Sequence, residues 1–139
     1  MPSNTTPIFS KAGDIQWNDS PVTTANTTTD LTTGTSYLIF TADATNGGYI
    51  QKLRIRPLGT NVATVLRVWI NNGSTTGTSL NNVLYDEVSL AISSVSQTSA
   101  LAMYELPLNF ALPLGYTIYV TIGTGVSAGY DVTAIAGKY

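Results

Sequence analysis

Tyr116-Thr117-Ile118-Tyr119-Val120-Thr121-Ile122 decides the class of fold. Ile118, Val120 and Ile122 alternate with Thr117, Tyr119 and Thr121, and β-branched and aromatic residues of this kind suit a pleated chain. A period of two sends the aliphatic side chains to one face and the hydroxyl-bearing ones to the other. The same period recurs upstream. In Tyr49 to Pro57, Leu53 and Ile55 share one face and Lys52, Arg54 and Arg56 the other. Val62 to Ile70 puts Val62, Leu66, Val68 and Ile70 together, and Leu84 to Ile92 does so with Leu84, Val88, Leu90 and Ile92. Tyr37 to Thr41, Leu101 to Phe110 and Tyr130 to Ala136 read as further strands. Pro107 marks a strand edge or a bend, because it has no N–H to give to a ladder.

No segment holds a helical period of 3.6 residues. Turn signals stand between the strands: Asn46-Gly47-Gly48, Gly59-Thr60-Asn61, the polar run 93–99, Leu112-Pro113-Leu114-Gly115 and the stretch 123–129. Residues 71–82 form a polar loop that is long for a compact domain, either exposed and functional or simply tolerated. About eight strands with mixed loop lengths favour an all-β, jelly-roll-like β-sandwich of antiparallel strands over an immunoglobulin-like one. The Cys…Trp…Cys hallmark of the latter is absent, since the chain has no Cys.

Composition narrows the function. The 139 residues fit one domain and can bury a core without disulfide or metal. With no Cys and no His, thiol nucleophiles, iron–sulfur clusters, Cys/His zinc sites and the Ser-His-Asp triad are excluded. The chain is expected not to be an enzyme, with no catalytic, metal-ligating or cofactor-binding residue assigned. A net charge of −2 and a pI near 4.7 argue against a nucleic-acid partner. Charged residues make up 10% of the chain, against about 25% in typical soluble domains. Small uncharged polar residues fill the deficit, 22 Thr among them. Such a composition resembles extracellular or virion-surface β-proteins. The start has no charged and apolar signal pattern. The most apolar stretch, Leu106 to Val120, is broken by Pro107, Asn109, Pro113 and Gly115, so no membrane partner is expected. The four Asn-x-Ser/Thr triplets, at Asn4, Asn18, Asn26 and Asn72, are what so much Ser and Thr produces by chance.

Residues 1–34 lack periodicity and read as an extended N-terminal arm, with 35–139 as the β-sandwich domain. Few side chains in the arm can repay its ordering cost. Ile8, Phe9, Ile15 and Trp17 are the exceptions and the candidate partner-binding residues, packing on the chain's own domain or on a neighbouring subunit. A second candidate surface is the row Lys52, Arg54 and Arg56. If the Gly59 turn closes a hairpin, Arg67 and Trp69 join that face and four of the six basic residues gather beside an indole. The face is then either ordinary solvated sheet or a docking site for an acidic protein surface, Arg and Trp being frequent interface anchors. Asp86-Glu87 and Glu105 are the clustered carboxylates. Neighbours in a strand point to opposite faces, so Asp86 and Glu87 do not share a substrate, and salt-bridge or turn roles suit them better. Trp17, Trp69 and eight Tyr raise carbohydrate binding as an alternative.

Ile55-Arg56-Pro57-Leu58-Gly59-Thr60-Asn61-Val62-Ala63-Thr64, followed by Ile70-Asn71-Asn72-Gly73, resembles small structural proteins encoded near the capsid genes of tailed bacteriophages and prophages. Residues 112–123 and the ending Val132-Thr133-Ala134-Ile135-Ala136-Gly137 fit the same pattern, and the resemblance spans roughly residues 48–139. It implies a β-sandwich or jelly roll, often trimeric, clamped on the outer shell as a capsid decoration (cement) protein. The expected partner is the major capsid protein. The expected location is the capsid surface of the virion, after synthesis in the bacterial host cytoplasm. The alternative is a carbohydrate- or receptor-binding module of a head fibre or tail. The resemblance carries over no catalytic residue.

Overall fold

The computed structural model describes residues 10–139. Among them, nine antiparallel strands form two sheets packed face to face. β3 (Tyr37–Thr41), β8 (Thr117–Ile122), β5 (Thr64–Asn71) and β6 (Asn82–Leu90) make a four-stranded sheet in that spatial order. β9 (Tyr130–Lys138), β4 (Gly48–Pro57) and β7 (Tyr104–Leu112) make the second, with the short β1 (Ala12–Gly13) and β2 (Gln16–Trp17) beside β9. β1 and β2 are two halves of one edge strand. Ala12 faces Lys138, Gly13 faces Gly137, Gln16 faces Ala134 and Trp17 faces Thr133, one continuous register.

The pairings nest around the loop joining β5 to β6. β5 pairs β6, β4 pairs β7, β3 pairs β8, and the β1–β2 edge pairs β9. This is a long hairpin rolled up on itself, the jelly-roll winding, with four strand positions in each sheet. Pro107 falls on β7, which among the described residues is an edge strand bonded to β4 alone.

The core is the space between the sheets. Ile50, Leu53, Ile55, Val132 and Ala134 meet Phe40, Leu66, Val68, Ile118, Val120 and Ile122 there, all essentially inaccessible. Each large aliphatic or aromatic side chain so buried contributes about 1.5–3 kcal/mol. These residues are the inward halves of the alternating runs, which is why the pattern forms strands at all.

Three local expectations need correction. The Gly59 turn does not close a hairpin: the chain leaves β4 in one sheet and enters β5 in the other. Asn61 anchors this crossing by an isolated bridge to Ser93 and by side-chain bonds to residues 128 and 129. Val62 and Ile92 lie outside the strands and are exposed. Leu84 is displaced by a bulge. It lies opposite Trp69, whereas Val68 lies opposite Asp86, so Tyr85 is an extra residue and the alternation slips by one. The Tyr85 ring meets Phe110 of β7 edge-on, with centroids 5.0 Å apart, and covers the gap between the two sheets.

From Ser10 to Gly34 the segment expected as an arm lies on its own domain. Besides β1 and β2, Val22 bridges Tyr130 and Ala25 bridges Ile122. Asn26 donates its side-chain amide to the carbonyls of Thr33 and Thr35. Gly34, at φ +79°, closes this turn where a Cβ would lie 2.8 Å from the Asn26 side chain, so a side chain is refused twice over. Ile8 and Phe9 lie outside the described residues.

Candidate functional site: the outer face of the five-stranded sheet

Alternation along β4 turns Leu53 and Ile55 inward and leaves Lys52, Arg54 and Arg56 on the outer face, as the sequence pattern implies. Register then determines their neighbours. Arg54 lies opposite Thr133 of β9 on one side and Glu105 of β7 on the other, and Thr133 lies opposite Trp17. Trp17, Thr133, Arg54 and Glu105 thus form one row across the sheet. Lys52 lies between Ile135 and Pro107 in the adjacent row, which the continuous edge register extends to Ile15. In the row beyond Arg54, Arg56 faces Asp131. Pairing of the edge strand with β9 therefore unites two candidate surfaces that are about 35 residues apart in sequence. Trp17 is 63% exposed and Ile15 is 55% exposed.

Gln16 explains why the edge strand presents these two residues outward. It points the other way, and its amide donates to the Thr41 carbonyl at 2.9 Å and accepts from the Thr41 N–H at 2.9 Å. This pair of bonds ties the five-stranded sheet to β3 of the four-stranded one. With Gln16 held inward, Ile15 and Trp17 face out.

The face is less positive than its cations suggest. Lys52 Nζ lies 3.2 Å from Glu105 Oε1, and Arg54 Nε lies 3.9 Å from the same oxygen. Arg56 has no ion pair among the described residues, though Asp131 is its cross-strand neighbour. The surface is a mixture of aromatic, aliphatic and largely neutralised charged groups.

Arg67 and Trp69 are not part of it, which corrects the expected five-residue patch. Because β4 and β5 belong to different sheets, they lie on the other side of the sandwich. Arg67 pairs with Glu87 at 3.0 Å. Trp69 is 1% exposed and donates its indole N–H to Thr121 Oγ1 at 3.0 Å. Thr27, Thr28 and Thr29 line a small recess with it, so the extended segment roofs an indole that would otherwise be solvated. Nothing local in the sequence marks that cover.

Toward the Gly137 end of the same outer face lies an open groove of about 570 Å³. Tyr49, Gln51, Asn109, Ile135 and Tyr139 line it. Sequence reasoning missed it because two irregularities create it. Register shifts between Ile50 and Lys52 against both neighbouring strands, so Gln51 is an extra residue relative to β9, and β7 carries Asn109 at φ +55°.

Among the described residues, no group of three or more acidic side chains is placed to hold a metal ion. No helix among them is long and apolar enough to cross a membrane. No protein-family profile matches the chain, and no curated protein matches it as a relative.

Proposed function

We propose that this chain is a non-enzymatic virion structural protein, a decoration (cement) protein that binds the major capsid protein on the outer shell of a tailed-phage head and stabilises it. Docking uses the outer face of the five-stranded sheet, at the end that carries Ile15, Trp17, Arg54 and Arg56. The observation that supports this reading best is the exposure of Trp17 and Ile15 beside the two guanidinium groups on one sheet face. A large aromatic and Arg are the side chains that most often carry interface energy. The mechanism is mass action, since a ligand that binds the assembled shell and not its parts shifts assembly forward. A homotrimer on a symmetric shell gains grip by multivalency.

Heads assembled from the phage's major capsid protein alone, mixed with purified protein and sedimented, test the reading. Wild-type protein is expected to co-sediment, and Trp17→Ala and the Arg54→Glu, Arg56→Glu pair to bind at least tenfold more weakly. Failure of the wild-type chain to co-sediment would overturn it. The alternative, a sugar- or receptor-binding module, draws on a separate observation, the groove beside Tyr49.

A further inference from the structure

The geometry points to the groove beside Tyr49 as a binding site for a short neutral saccharide. This inference rests on the sugar-binding alternative and gives it a place, distinct from the Trp17 and Arg54 end of the face.

Four features specify the ligand. The volume, about 570 Å³, falls in the roughly 300–1,000 Å³ range of small-molecule sites. Among the described residues, none of the lining side chains carries a charge at neutral pH. Lys52, on the same face, is turned to Glu105 at 3.2 Å and does not line the groove. The described lining side chains therefore offer an ion no counter-charge, whereas a neutral ligand pays no such penalty. Tyr49 and Tyr139 supply rings beside a floor of small residues, Ala111 and Gly137. Aromatic surface of this kind suits the C–H face of a pyranose, and each phenol adds a polar tip.

The polar groups complete the match. Gln51 is exposed at the bulge, and no hydrogen bond of its side chain occurs among the described residues. Asn109 Oδ1 receives only a long contact from the Tyr49 hydroxyl, at 3.4 Å. Each amide offers both donors and an acceptor, the combination that vicinal hydroxyls, which also donate and accept, can satisfy. Both amides stand at the backbone irregularities, a bulged residue and a left-handed non-glycine, on strands that are otherwise regular. Bulges re-aim side chains in this way beside functional sites.

The test is a glycan array carrying neutral and acidic oligosaccharides, with hits titrated against the free protein by calorimetry. Neutral glycans are expected to bind. Gln51→Ala and Tyr49→Ala are each expected to weaken that binding at least tenfold. Gln51 is solvent-exposed, so its variant tests the site without touching the core. Asn109→Gly removes the second amide while keeping the left-handed backbone and is expected to act in the same direction. Trp17→Ala should leave sugar affinity unchanged. Absence of any hit at millimolar concentration would overturn both the site and the sugar-binding reading, and hits confined to acidic glycans would overturn the site alone. Neutral hits that Gln51→Ala and Tyr49→Ala leave intact would overturn the site alone. Head co-sedimentation is a separate readout, so neither failure is confused with failure of the decoration reading.

Discussion

Asn18 and Asn61 are buried polar side chains that do the work of missing backbone partners. Asn61 accepts from the N–H groups of Ala128 and Gly129 at 3.0 and 2.8 Å and donates to the Gly129 carbonyl at 3.0 Å. Asn18 accepts from the Val132 N–H at 2.8 Å and donates to the Ser20 carbonyl at 2.7 Å. Truncating Asn61 would strand several buried backbone groups, each costing about 1–3 kcal/mol. Asn61→Ala is therefore expected to lose about 3 kcal/mol in urea denaturation. Tyr130 is the opposite case. Its ring is fully buried in the core, and its hydroxyl has no partner among the described residues. Burial pushes that hydroxyl's pKa up, with the neighbouring Tyr104 adding to the shift. Tyr130→Phe is expected to raise stability by about 1 kcal/mol, because it removes a desolvated group and keeps the packing. A loss of similar size in the same denaturation experiment would show that the hydroxyl is satisfied in solution.

Among the elements, the edge strand has the most divided role. Its Gln16 side faces β3 and its Ile15 and Trp17 side faces solvent. Trp17→Ala is therefore expected to change stability by less than about 0.5 kcal/mol, the usual limit for exposed positions, while reducing head attachment. Deleting residues 2–20 is a poorer experiment, since it removes β1, β2 and Asn18 together and so unpairs one side of β9. The turn between β3 and β4 is an acid-sensitive element. Asp43 accepts from the N–H groups of Asn46 and Thr45 at 2.8 and 2.9 Å, and these bonds hold its pKa below the ordinary 3.8. A carboxylate depressed in the folded state adds stability at pH values above its unfolded pKa and loses that contribution as pH falls through the lower folded value. The stability advantage of wild type over Asp43→Asn is thus expected to be constant above pH 5 and to shrink below about pH 4. A difference independent of pH down to acid unfolding would contradict this.

For the whole molecule, the charge distribution predicts how the proposed docking responds to salt. Glu105 already engages Lys52 and Arg54, and Arg56 faces Asp131. The outer face therefore carries little net field to be screened. Head co-sedimentation is expected to fall by less than about tenfold between 50 and 500 mM NaCl, unlike binding driven by an exposed basic patch. A steeper fall would mean that Glu105 releases its cations on docking. The nested pairing also implies slow folding, because β1–β2 must find β9 across almost the whole chain before that edge is complete.

Periodicity by itself determined that this chain is all-β, that Leu53 and Ile55 of β4 and Leu66 and Val68 of β5 share inward faces, and that Lys52, Arg54 and Arg56 share an outer face. Those properties follow from alternation along one strand, a local consequence of backbone geometry. Tertiary structure alone decided which strands are neighbours. It separated Arg67 and Trp69 from the basic row, brought Trp17 to that row through β9, buried Trp69 under a threonine segment, and opened the groove at Gln51 and Asn109. A strand's own residues specify its two faces, but its partners are chosen by the packing of the entire rolled hairpin, and a single bulge moves every later side chain to the opposite face.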